Sequence, residues 1–278
     1  SVSRHLGVPV IGQIPVIDAA VEKRSIRHGL AADPLLVSLN RPGSRIAEAY
    51  RGVRTALTMG VAGHQKVIQI TSANPSDGKS TLSANLAITL ARSGKRCLLM
   101  DCDFRQPAVH RLFGVSTDVG VSTILEQRAE WSEAVQQGPL EPLDLMTCGP
   151  RVTNPAELLL SPQFSDLLRV VRDRYDVVIV DSPPILAVSE PSTIAAMVDG
   201  VVLVTGLSRN ARTLMTRTHE ALDVVGARLL GVVINAVGKA SAYGTGYQRY
   251  RSYRYGDSRP EESRPAREPA TDPETVSV

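Results

Sequence analysis

Aromatic residues make up only 4% of this 278-residue sequence, with three Phe and one Trp. A core so poor in rings must be built from aliphatic side chains. Cysteine is equally scarce: Cys97, Cys102 and Cys148 show no metal-ligand spacing. This excludes a disulfide framework or a zinc site and leaves buried free thiols in a reducing compartment. No apolar run approaches the length of a membrane span, and no signal-peptide pattern is expected ahead of the domain. The charge is weak as well. A net +3 is too small to imply nucleic-acid binding, and no nucleic-acid partner is expected.

What is present is an alternation of short apolar runs with helical patterns. KVIQITS (66–72), RCLLMDCD (96–103), LDLMTCG (143–149), DVVIVDS (176–182), GVVLVTG (200–206) and LLGVVINAV (229–237) read as strands. A helix is expected from an N-cap at Ser44 to about Met59, with Ile46, Tyr50, Val53 and Leu57 as its buried stripe. Others are expected over 80–92, over 154–175 with a break near Pro162, and over 211–225. Nearly continuous apolar strands separated by helices predict an α/β fold, a doubly wound, mostly parallel sheet, over residues 44–238. Residues 1–43, punctuated by Pro9, Pro15, Pro34 and Pro42, read as an irregular docking arm lying against this core. Residues 239–278 have the composition of a mobile tail.

SANPSDGKST (72–81) joins the first of those strands to a helix, the context a phosphate-binding P-loop requires. Asn74, Pro75, Ser76, Asp77, Gly78, Lys79, Ser80 and Thr81 are the expected ATP contacts. Backbone amides of 76–81 would converge on the β-phosphate, Lys79 would bridge the β- and γ-phosphates, and the Ser80 hydroxyl would ligate Mg2+. Ala73 replaces the glycine that usually opens such a loop, which costs little if the position needs no positive φ. Asp101 and Asp103 end one strand and Asp181 another. Carboxylates at the carboxyl ends of apolar parallel strands need a cation or hydrogen bonds, and Mg2+ carried by ATP is the obvious cation.

Together these residues resemble the bacterial tyrosine kinases (BY-kinases) of capsule and exopolysaccharide biosynthesis. MDCDFRQP resembles that family's Walker A′ signature and VIVDSPPI its Walker B. RLFG (111–114), GVSTIL (120–125) and CGPRVTNPAELL (148–159) also match, and the likeness runs over residues 6–255. Ala73 and Ser76-Asp77 depart from the usual P-loop wording. EAYRGVR (48–54) matches the family's E-x-x-R-x-x-R motif, which implies that Glu48, Arg51 and Arg54 form an oligomer interface in a ring. Without the resemblance, the three read as a solvated helix face with a weak ion pair. Asp101 as the group that receives or orients the tyrosine proton, and Asn235 as an adenine contact, are likewise implied by the family. So are metal roles for Ser80, Asp101, Asp103 and Asp181, a membrane-spanning chain-length regulator domain on the same chain or a partner, an opposing protein tyrosine phosphatase, and a place at the cytoplasmic face of the plasma membrane. LGVPVIGQIP resembles the stretch after a second membrane span, so the chain reads as the cytoplasmic part of something longer.

The tail contains YGTGYQRYRSYRY, which gathers five of the seven tyrosines: Tyr243, Tyr247, Tyr250, Tyr253 and Tyr255. A segment unable to pack has no packing use for aromatics, so they read as phosphate acceptors entering the active site of a neighbouring copy. Stacking of the interleaved arginines and tyrosines on single-stranded nucleic acid, or their adsorption to an anionic membrane, are the competing readings. At the level of the whole chain, the alternatives to a tyrosine autokinase are a partitioning or septum-placing ATPase and an ATP-binding scaffold. The former usually carries an extra lysine early in the loop, where this chain has Ala-Asn-Pro-Ser, and lacks a terminal tyrosine cluster.

Overall fold

The computed structural model describes residues 7–18, 33–61, 65–206 and 210–237. They build a sheet of eight strands in the order β1-β8-β7-β2-β6-β3-β5-β4. The strands are β1 Val10–Pro15, β2 Val67–Ser72, β3 Cys97–Asp101, β4 Gln136–Gln137, β5 Leu143–Met146, β6 Val177–Asp181, β7 Gly200–Gly206 and β8 Leu229–Val237. Every pairing is parallel except β4 with β5. The helices are α1 Val37–Asn40, α2 Arg45–Thr55, α3 Lys79–Arg92, α4 Val109–Phe113, α5 Val121–Leu125, α6 Trp131–Ala134, α7 Pro155–Leu160, α8 Pro162–Arg174, α9 Glu190–Ala195 and α10 Ala211–Val224.

Because both faces are covered, the central strands are buried at every position: β2, β3, β6 and β7 have no exposed residue. One layer of core unites α2, the turn that follows it and α3 with the sheet through Tyr50, Val53, Leu57, Leu86 and Leu90. The other unites α5, α7 and α8 with the opposite face through Val121, Leu159, Phe164 and Leu168. All three cysteines are buried free thiols.

Helix termini follow the local chemistry of the chain. Ser44 caps α2, its Oγ accepting from the Ala47 amide at 3.1 Å. Ser161 is at once the C-cap of α7 and the N-cap of α8, and Pro162 opens α8, so the break expected near Pro162 is present. Beyond Thr55 the helix widens into a π-helical turn over Ala56–Val61.

Two features correct the sequence reading. Residues 10–15, read as part of an irregular arm, form the edge strand β1, paired in parallel with β8. Pro15 is compatible with this because β1 pairs on one side alone, while Ile11 and Ile14 point into the core. Gly12 lets this strand lie directly on α2, since a Cβ there would stand 2.2 Å from Val53 Cγ2. In addition, β4 and the short helices α1, α4, α5, α6 and α9 were not expected; segments of two to six residues carry too little periodicity to register.

Candidate active site

The strand order sets β6 between β2 and β3, which brings together the carboxyl ends of three strands. Asp101 pairs in register with Asp181, and Ile70 stands beside Asp181 on the other side. The loop 73–78 leaves β2 at this end and turns into α3, whose N-terminal amides and dipole face the same spot.

The loop is closed by its own side chains. Ser72 Oγ donates to the Asn74 carbonyl at 2.7 Å, and the Asn74 amide donates to Asp77 Oδ2 at 3.1 Å. Ser76 adopts φ +68°, a left-handed conformation that costs a non-glycine residue energy and that recurs at ligand-binding loops. Gly78 has φ +89°, and a Cβ there would stand 2.0 Å from Asn235 Nδ2. Ala73 is buried and not among the residues with positive φ, so the missing glycine imposes no backbone strain. Burial pushes the Asp77 carboxyl up to about 6, although amides of Asn74 and Gly206 hydrogen-bond it.

Lys79, 6% exposed, folds over this loop. Its Nζ lies 2.8 Å from Asp103 Oδ2 and 4.0 Å from Asp181 Oδ2, and donates to Ser80 Oγ at 3.1 Å. Asp103 Oδ1 accepts from the amides of Arg105 and Gln106 at 3.2 and 2.9 Å. Asp101 is bound more completely. Its Oδ1 accepts from the Asp103 amide, and its Oδ2 from those of Ala108 and Val109, at 2.9–3.0 Å, so it caps α4. Burial, reinforced by Asp181 and Asp103, raises its proton affinity well above that of an ordinary carboxyl.

Asp181 Oδ1 accepts from Ser83 Oγ at 3.0 Å. Its Oδ2 is buried and makes no hydrogen bond of its own. Burial raises the proton affinity of this carboxyl, while Lys79 and the nearby Ser80 hydroxyl pull it down. A buried carboxylate oxygen left over beside a hydroxyl suits a divalent cation. No group of three or more His, Cys, Asp or Glu among the described residues forms a metal cage.

Asn235 of β8 pairs in register with Gly206 of β7, and its Nδ2 donates to the Asp77 carbonyl at 2.9 Å, which sets it against the phosphate loop. Of the interface triplet, Glu48 and Arg51 pair with each other at 2.7 Å on the outer face of α2. Arg54, half-exposed like Arg51, donates from Nη1 to the Thr89 carbonyl of α3 at 3.1 Å, and Arg51 Nη1 donates to the Pro42 carbonyl. Tyr243, Tyr247, Tyr250, Tyr253 and Tyr255 lie outside the described residues. The two described tyrosines are both buried: Tyr50 is 1% and Tyr175 7% exposed.

Sequence reasoning missed two residues beside this site. Arg105 Nε and Nη2 lie 2.8 and 2.7 Å from Glu190 Oε1, and Glu190 is 1% exposed. Arg105 sits inside the quoted MDCDFRQP and was open to notice; Glu190 is 85 residues away, and nothing in its local pattern points to Arg105. Among the described residues no helix is long and apolar enough to cross a membrane.

The AAA domain family matches residues 65–222. The tyrosine-protein kinase YwqD of Bacillus subtilis is 38% identical over 75% of this chain and 90% of its own length. The putative tyrosine-protein kinase EpsB of Ralstonia solanacearum is 33% identical over 95% of this chain, which spans 36% of that longer protein. Among solved structures, the kinase domain of the Escherichia coli tyrosine kinase ETK superposes with a TM-score of 0.81 at 30% identity, covering 89% of this chain and 98% of that one. A phosphate loop facing paired aspartates on a mostly parallel sheet, together with these relatives, makes the chain a member of the bacterial tyrosine-protein kinases, a family of P-loop enzymes.

Proposed function

We propose that this chain is an autokinase that transfers the γ-phosphoryl group of ATP to tyrosines of its own tail, between copies. The observation that carries the reading is the buried meeting of Lys79 with Asp103 and Asp181 at the mouth of the loop 73–78. A lysine held at that depth between two carboxylates has its charge placed for phosphate, and the helix start behind it adds to the same field.

Asn74 to Thr81 would cradle the phosphates, with Lys79 reaching the β- and γ-phosphates. Asn235 would brace the loop through its bond to the Asp77 carbonyl and contact the adenine. Mg2+ would be held by Ser80 and Asp181, with Asp103 and Asp101 close by, and supplies charge neutralisation on the phosphates when bound. In the transfer, the tyrosine oxygen bonds to the γ-phosphorus, the bond from that phosphorus to the β,γ-bridging oxygen breaks, and ADP leaves. The phenolic proton goes to a carboxylate. Asp101 is the candidate receiver, its high proton affinity matched to the task although it must release an amide to act.

The tail tyrosines Tyr243, Tyr247, Tyr250, Tyr253 and Tyr255 are assigned as acceptors, and the burial of Tyr50 and Tyr175 supports this by elimination. Each phosphate adds nearly two negative charges, so a heavily modified tail loses its attraction to an acidic site and releases the neighbouring copy. Assembly through Glu48 and Arg51, activation by a membrane chain-length regulator, reversal by a protein tyrosine phosphatase and control of exopolysaccharide or capsule export complete the proposal.

The test mixes two defective chains: Lys79→Met with an intact tail, and a wild-type site truncated after residue 238. With ATP and Mg2+, phosphotyrosine on the Lys79→Met chain alone supports transfer between copies. Release of inorganic phosphate with no labelled tyrosine overturns the reading in favour of a simple ATPase.

A further inference from the structure

Glu190 has one carboxylate oxygen in a fork with Arg105 and the other, Oε2, buried without a hydrogen bond. Keeping a carboxylate this buried is costly unless the surroundings gain from its charge. The gain lies in what Arg105 is attached to. Its own amide and that of Gln106 are donated to Asp103 Oδ1, which leaves Asp103 Oδ2 turned toward Lys79. At the other end, Glu190 opens α9, and the next residue is tied to the sheet: Gln69 Nε2 donates to the Pro191 carbonyl at 3.0 Å and to Ser182 Oγ at 2.8 Å. Ser182 follows Asp181 directly. The Glu190–Arg105 pair thus fastens the turn that aims Asp103 to the same frame that holds Asp181.

We propose that Glu190, acting through Arg105, is a positioning residue for magnesium-nucleotide binding: it fixes the spacing of Asp103 from Asp181 and Lys79. This rests on the reading of Lys79, Asp103 and Asp181 as the phosphate and metal site. The pair would also raise the fold's stability, and the test must separate that contribution from the positioning.

The experiment titrates Mg2+ against a fixed concentration of a fluorescent ADP analogue for the wild-type chain, Glu190→Gln and Arg105→Lys, with thermal melts of each. Glu190→Gln preserves shape and removes charge; Arg105→Lys preserves charge and removes the fork. Residues that orient metal-binding groups typically alter metal affinity by about 10–100-fold, so the Mg2+ concentration for half-maximal binding should rise at least ~10-fold in Glu190→Gln and by less in Arg105→Lys. At saturating Mg2+ both variants should bind the probe as the wild type does. Variants that melt lower yet share the wild-type Mg2+ midpoint would overturn the proposal and leave the pair a structural fastening. If Glu190→Gln fails to fold, the Arg105→Lys midpoint decides alone. A wild-type chain that binds no probe in Mg2+ would overturn the parent reading as well, a distinguishable result.

Discussion

Lys79 Nζ stands 2.8 Å from Asp103 Oδ2, and the two side chains are 7% and 0% exposed, so each is the other's main compensation for leaving water. Lys79→Met therefore does more than remove a phosphate ligand: it takes the ion-pair partner at 2.8 Å from a fully buried carboxylate. Breaking such a pair from one side costs about 3–5 kcal/mol. The variant should lose self-labelling on tyrosine and unfold at lower denaturant. Adding Asp103→Asn should recover much of the stability and none of the activity, read by chemical denaturation and phosphotyrosine blotting.

Gly78 and Asn235 should behave as a coupled pair. Gly78→Ala places a methyl group against Asn235 Nδ2 at a position with φ +89°. The backbone term alone is about 1–2 kcal/mol. Asn235→Ala removes a bond to the Asp77 carbonyl, worth about 1 kcal/mol. Since Asn235→Ala also removes the clash, the double variant should be less destabilised than the sum of the singles. Strict additivity in urea unfolding would contradict the contact.

Asp77 should make stability fall as pH rises. Its folded carboxyl titrates near 6, above the ordinary 3.8, so folding favours the protonated form. The contribution is fully present below pH 3.8 and is lost as pH climbs through 6. Asp77→Asn keeps an acceptor for the two amides and carries no charge to desolvate. Its stability advantage over wild type should be absent near pH 3.5 and reach roughly 2–3 kcal/mol by pH 7. Melts across this range check it; a constant difference would refute the assignment.

Tyr50→Phe and Tyr175→Phe should leave self-labelling intact, because both residues are buried in the fold. Tyr175→Phe forfeits the bond from its hydroxyl to Asp144 Oδ2 at 2.7 Å, a loss of about 1–2 kcal/mol in stability. Disappearance of phosphotyrosine in either variant, with the melt showing a folded chain, would move the acceptor out of the tail.

Glu48→Lys should weaken assembly in solution without affecting nucleotide binding, since it places like charges side by side on the outer face of α2. Arg54→Ala should instead lower stability, because that guanidinium is tied to the Thr89 carbonyl within the same chain. Light scattering and thermal melts on the two variants separate the roles.

Much was readable in the residues because its causes are local. Short apolar runs, period-3.6 patterns, the Ser44 cap, the Pro162 break and the Gly-Lys-Ser turn depend on neighbours a few positions away, and the strands and long helices appear where those patterns place them. What only the tertiary structure decided is non-local. Strand order depends on which crossovers pack well, and it alone sets Asp101 beside Asp181 and draws β1 from an apparent arm into the sheet. The bond from Asn235 to Asp77 spans 158 positions and the Arg105–Glu190 fork spans 85, so no window of sequence contains either. A residue type and its spacing announce that a phosphate loop and acidic strand ends exist; the long-range packing of the sheet determines which of their atoms meet, because the free energy of burying a charge is settled by its partners in space and not by its neighbours in the chain.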